Sequence, residues 1–266
     1  MKKPIVLNRF GSKLEFIELS ENTYKHKDKI IVDRYNVLNG TFNLTNFSSP
    51  GFFTKIGEVK DQNNFSKFNN IRCLDMPIKM AGSNEYRIPK EFLQFLPTIK
   101  QMLNFEHTYN DDILNFFAYL TIDQTEPNGS EYHREPGLHV DGFQGMRIQP
   151  KVKCDRSYIV VNNNCPSFWN QPFESVISMD DSKQNLFHEF DRTKKPSSEI
   201  KIKPYDIMFM DCYAVHSANK IEEEIPRTFV RLSYSVRQFD RLNNSHNNCF
   251  DYSWKMVSRN ISDVLK

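Results

Sequence analysis

The chain has 266 residues, one large domain or two small ones at about 150 residues per domain. Lys+Arg numbers 35 and Asp+Glu 33, a formal net charge of +2, which disfavours a sequence-blind electrostatic nucleic-acid binder. With 39% hydrophobic and 13% aromatic residues the chain can bury a core and is not a disordered one. Mean hydropathy is −0.61, and no run approaches the roughly 18 apolar residues of a membrane helix. The basic start, Met1–Arg9, holds an apolar run too short for a secretory signal. The expectation is a soluble, intracellular (cytoplasmic) protein without a membrane partner.

Five cysteines (Cys73, Cys154, Cys165, Cys212 and Cys249) without a CxxC pair fit independent reduced thiols better than a disulfide frame or a structural zinc site. There are 9 glycines, the last being Gly145. The chain has no Walker loop, GxGxxG, GxSxG elbow or HExxH helix. Nucleotide-dependent transfer, serine hydrolysis and zinc proteolysis are disfavoured accordingly.

In chain order, Pro4–Leu7, Leu14–Ile17 and Lys29–Val32 read as short strands separated by turn-forming residues. From Pro89 the period changes to three and four: Phe92, Phe95, Leu96, Ile99, Met102 and Leu103 predict a helix packed on a sheet, with Pro97 kinking or splitting it. Phe116–Ile122, Ser157–Val161 and Ile207–Met210 predict strands, and Thr228–Phe239 a long strand with two distinct faces. Residues 166–204 read as a polar inserted loop with a short helix or hairpin. Trp254, Val257, Ile261 and Val264 share one face of a predicted C-terminal helix. One domain over 1–266 is the simplest organisation: N-terminal strands and helices over 1–112, a β core over 113–240, and a helical extension over 241–266.

Three segments carry chemistry. Glu135–Gly142 contains His139 and Asp141, and residues i and i+2 of an extended strand share a face. Lys203–Asp211 enters a buried apolar strand, and His216 follows its end. On the last long strand Arg227, Phe229, Arg231, Ser233 and Ser235 share one face, while Thr228, Val230, Leu232, Tyr234 and Val236 form the better core face. An arginine among apolar neighbours needs a partner, either a protein carboxylate or a bound anion. Taken singly each segment is weak; together, and in this order, they are specific.

His-x-Asp, a distant His and Arg-x-Ser over residues 113–240 resemble the Fe(II)/2-oxoglutarate-dependent oxygenase superfamily. The resemblance implies a mainly β protein with flanking helices, built on a double-stranded β-helix, or jelly roll. It implies Fe(II) held by His139, Asp141 and His216, two imidazoles and a carboxylate that leave positions open. There 2-oxoglutarate chelates and O2 binds; the substrate is oxidised, most simply hydroxylated, with release of succinate and CO2. The family's strand arginine grips the distal carboxylate of the cosubstrate with a planar fork. Arg231, with Ser233, fits the Arg-x-Ser form and is preferred to Arg227. Tyr158 is a candidate for the same carboxylate or an ordinary core tyrosine; Tyr119 and Thr121 are weaker candidates. His133 is a rival ligand.

Arg147, Lys151, Lys153 and Arg156 form a basic cluster that either favours an anionic substrate or is a solvated hairpin. Arg237 is placed to reach substrate at the far end of the long strand. A small-molecule and a macromolecular substrate both remain open, and net charge does not favour nucleic acid. The alternatives are a non-catalytic jelly-roll binding module and a cupin-like metalloenzyme that does not use 2-oxoglutarate.

Overall fold

The computed structural model describes residues 5–8, 44–109, 113–133, 136–141, 155–179, 184–222 and 224–256. Eight strands form one antiparallel sheet: β1 (Ile5–Asn8), β2 (Phe53–Glu58), β3 (Arg72–Lys79), β4 (Glu85–Ile88), β5 (Phe117–Thr125), β6 (Arg156–Val161), β9 (Asp206–Asp211) and β11 (Arg227–Ser235). Their spatial order is β1-β4-β3-β5-β11-β6-β9-β2. A smaller sheet is ordered β10 (His216–Ser217), β7 (Ser167–Trp169), β8 (Glu199–Lys201), and a bridge between His139 and His216 extends it by one segment.

From β5 to β11 the chain passes between the sheets as a jelly roll does. β5, β6, β9 and β11 lie side by side in the large sheet, while the His139 segment, β7, β8 and β10 form the small one. This double layer leaves β6 and β9 buried on both faces, and their middles, Tyr158–Val161 and Ile207–Met210, are apolar runs. On β9, Ile207 and Phe209 join the core outside the large sheet, whereas Met208 and Met210 pack between the sheets with Ile159 and Phe168.

The outer face of the large sheet is covered by a 3₁₀ helix, Lys90–Phe95, running into α2 (Leu96–Tyr109); the short α1 (Gln62–Ser66) precedes them. Pro97 lies in the first turn of α2, where its missing N–H costs nothing, so the expected split falls between Phe95 and Leu96. Phe92, Phe95, Ile99, Met102 and Leu103 are buried against Tyr158, Val160, Val230, Leu232 and Tyr234. The two faces expected for β11 are therefore found, except that Val236 lies past the strand end and is exposed.

Three expectations are corrected. Residues 166–204 are not merely an insertion: they supply β7 and β8, half of the small sheet, as well as α3 (Leu186–Thr193). Trp254 is not helical; it packs edge-on against Phe117, and Val257, Ile261 and Val264 lie outside the described residues. Arg156 belongs to no basic surface cluster, because it is buried and its Nε donates to Glu106 of α2 at 2.8 and 3.0 Å. Arg147, Lys151, Lys153 and the strands expected at 14–17 and 29–32 also lie outside the described residues. Among the described residues no helix is long and apolar enough to cross a membrane.

Candidate metal centre

His139 and His216 face each other across the small sheet. Each backbone N–H donates to the other's carbonyl at 2.9 Å, and the ring centroids are 4.4 Å apart. The two imidazoles are oriented by the same local device. His139 Nδ1 lies 3.1 Å from the Gly137 carbonyl and His216 Nδ1 lies 2.9 Å from the Ala214 carbonyl. A carbonyl only accepts, so each Nδ1 carries the proton and each Nε2 keeps a lone pair for a metal. Gly137 has a φ of 111°, a backbone region suited to glycine.

Asp141 completes the group. One ligand atom from each of His139, Asp141 and His216 can be chosen so that all three lie within 4.8 Å of one another, with Asp141 Oδ1 at 3.9 Å from His216 Nε2. Asp141 is in a turn just past the bridge rather than in a continuous strand, yet the convergence expected from the His-x-Asp spacing is present. Burial pushes the Asp141 carboxyl up, but Arg231 and the two imidazoles outweigh it and hold it at about 2. Burial, with His139 adding to it, pushes the His216 imidazole down to about 4. At neutral pH Asp141 is thus ionised and His216 neutral, the forms that ligate a divalent ion. The donor set fits a metal that accepts nitrogen and oxygen together, Fe(II) included.

The group opens on a cavity of about 610 Å³. Arg227, Phe229 and Arg231 of β11 line it together with Ile159 and Met210, and α3 adds Phe187 and His188. Sequence reasoning did not assign these α3 residues, which carry no motif and reach the cavity only through tertiary packing.

The remaining sequence candidates divide. Arg231, expected to grip the cosubstrate, lines the cavity; its Nη1 donates to Asp141 Oδ2 at 3.1 Å and its Nη2 to Asp75 Oδ1 at 3.0 Å. Of the two kinds of partner left open for it, the structure shows protein carboxylates. Arg227 lines the same cavity, its guanidinium 5.2 Å from the centroid of the Phe229 ring. Ser233 lies on the inward face with its hydroxyl 3.0 Å from Ser157, outside the cavity lining.

Tyr158 points the other way. Even-numbered residues of β6 face α2, and the Tyr158 hydroxyl donates to Glu106 Oε2 at 2.6 Å, so its place is the core and not the cavity. Tyr119 stacks on Phe239 with centroids 3.9 Å apart, and Thr121 hydrogen-bonds Asp75. His133 lies outside the ligand group, near Asn164, and Arg237 is not a lining residue. Asp75 was missed. Its sequence signal is a lone acid in the otherwise apolar Cys73-Leu74-Asp75-Met76-Pro77-Ile78.

Fold and site together define a jelly-roll protein carrying two histidines and one carboxylate placed to hold a metal ion. No family model and no curated protein matches the sequence. Similar solved structures include EvdO2 from Micromonospora carbonacea var. aurantiaca complexed with 2-oxoglutarate, at 11% identity, 73% of this chain, 89% of that chain and a TM-score of 0.43. The non-heme α-ketoglutarate-dependent epimerase SnoN from nogalamycin biosynthesis is similar at 12% identity, 79% of this chain, 81% of that chain and a TM-score of 0.41. HygX from Streptomyces hygroscopicus, with nickel and 2-oxoglutarate bound, is similar at 11% identity, 73% of this chain, 85% of that chain and a TM-score of 0.38.

Proposed function

We propose that this protein is an Fe(II)- and 2-oxoglutarate-dependent oxygenase. The observation that carries the proposal is the convergence of His139, Asp141 and His216 at the inner wall of the jelly roll, with both Nε2 atoms left available by backbone-bound Nδ1 protons. His139, Asp141 and His216 would hold the iron. Iron and 2-oxoglutarate, when bound with O2, supply oxidation of a substrate C–H bond with release of succinate and CO2.

The chain's own residues set the conditions around that chemistry. The low pKa of Asp141 keeps its charge on the metal side at any physiological pH. Phe229, Ile159 and Met210 give the cavity an apolar wall, which strengthens charge–charge contacts inside it. Arg227 and Arg231 both line the cavity from the inward face of β11; Arg231 is bonded to the metal-side carboxylate Asp141, and we assign the distal carboxylate of the cosubstrate to Arg227.

The test is anaerobic addition of Fe(II) and 2-oxoglutarate to metal-free protein, following the visible charge-transfer band of the iron chelate. A band that is lost in His216→Ala supports the proposal. Arg227→Ala is expected to raise the 2-oxoglutarate concentration needed for half-formation by at least about tenfold, the scale of a lost bidentate charged contact. Iron binding without a band would instead support a cupin-like metalloenzyme, and no iron binding would support a non-catalytic binding module.

A further inference from the structure

We propose that Asp75 is a positioning residue for the metal-binding carboxylate, acting through Arg231 to keep one oxygen of Asp141 open to the metal. The inference rests on the metal-binding reading above and assigns a role to a residue of a different strand.

Three adjacent strands build the relay. Arg231 of β11 is directly opposite Thr121 of β5, and β5 pairs with β3, which carries Asp75. The Thr121 hydroxyl donates to Asp75 Oδ1 at 3.1 Å and accepts from the Asp75 backbone N–H at 3.0 Å. Asp75 Oδ1 accepts from Arg231 Nη2, and Arg231 Nη1 reaches Asp141 Oδ2. Asp141 Oδ1, the other oxygen, is the one nearer His216 Nε2.

Two features of β3 serve this arrangement. The ladder shifts register between Cys73, opposite Ile122, and Met76, opposite Leu120, so three steps on β3 span two on β5. In a regular strand Asp75 would share a face with Cys73, which belongs to the core under α2. The bulge puts Cys73 and Met76 into that core together and turns Asp75 toward Arg231. Asp75 also has a φ of 45°, a left-handed conformation that is uncommon for residues other than glycine and that persists where surroundings enforce it.

The physical consequence follows from arginine geometry. A guanidinium beside a lone carboxylate prefers a two-pronged fork that engages both oxygens. Such a fork on Asp141 would compete with a metal for Oδ1. Asp75 takes one prong, so Arg231 restrains Oδ2 only.

The test uses Co(II), titrated calorimetrically and by its visible d–d absorption into the full-length metal-free protein. Asp75→Asn preserves the shape, tolerates positive φ and can still accept from Thr121. It is expected to weaken Co(II) binding by about 10-fold or more, the range for groups supporting a metal ligand. Arg231→Gln in that background should bring affinity back to within about threefold of Arg231→Gln alone, a strong non-additivity. Thr121→Val, which loosens Asp75 without touching its charge, should weaken binding in the same direction by a smaller factor and provides a second reading. Co(II) affinity within twofold of wild type in both Asp75→Asn and Thr121→Val overturns the proposal. So does a double variant as weak as Asp75→Asn, which would mark Asp75 as merely structural. Wild-type protein that binds no Co(II) overturns the metal reading itself, an outcome distinct from equal binding by wild type and variant.

Discussion

At Gly137 the backbone adopts a φ of 111°, and a β-carbon there would stand 3.1 Å from Asp191 Oδ2. The carbonyl of this residue receives the Nδ1 proton of His139. Gly137→Ala is therefore expected to misdirect the imidazole and reduce metal affinity by about tenfold, measured by metal titration, with a stability loss of about 1–2 kcal/mol. Asp155 offers a test by pH. Burial raises its carboxyl from 3.8 to about 6 against the pull of Arg156. Below about pH 4 it is protonated in both folded and unfolded chains. Between about pH 4 and 6 only the unfolded chain ionises, so its contribution to stability falls as pH rises and stays lost above about pH 6. Asp155→Asn retains an oxygen for the Val236 N–H and should stabilise the protein at pH 7 by up to about 3 kcal/mol. Denaturant melts should show that gain disappearing by pH 4. At this scale His139, Asp141 and His216 were legible because residue type and spacing carry them. Arg231 was legible as a residue in need of a partner, but the partner's identity was not, because Asp75 reaches it from a strand far earlier in the chain.

Helix α2 is joined to the large sheet by more than apolar packing. Arg156 of β6 and the Tyr158 hydroxyl both meet Glu106, with Arg156 and Glu106 almost wholly excluded from solvent. Removing one partner of such a pair strands the other as an uncompensated buried charge. Glu106→Ala is expected to cost about 3–5 kcal/mol in a denaturant melt, near the upper end for single substitutions. Replacing Arg156 and Glu106 together by apolar residues of similar volume should cost much less. The strands β6 and β9 could be read from the sequence because burial on both faces gives them the apolar runs Tyr158–Val161 and Ile207–Met210. β7 and β8, at three residues each, are too short to show a period, and every residue of β8 is exposed. The bulge in β3 breaks strand alternation where Asp75 sits, which hides its inward direction from any pattern of period two.

Among the described residues the two sheets face each other with the cavity between them and α2 on the outer side of the large one; the two histidines come from the small sheet and the arginines from the large one. A metal bound to His139, Asp141 and His216 stabilises the folded state by an amount that grows with the logarithm of free metal over Kd. At a free concentration of about 100 times Kd the gain is about 2.7 kcal/mol. Chelation should therefore lower Tm by several degrees in a thermal melt, and His216→Ala should remove the response. The jelly-roll class was visible in the order of motifs and strand-like runs. The addition of β1–β4 to the same large sheet was not, because long-range pairing leaves no local trace.

The reciprocal backbone hydrogen bonds that join His139 to His216 also bear on how the protein handles loss of its ion. The spacing of these donors is set by the ladder and not by the ion, so an emptied site keeps its imidazoles in register. Loading should then run as a simple bimolecular step, its rate linear in free metal and without a lag for chain rearrangement, and unloading as a single first-order step.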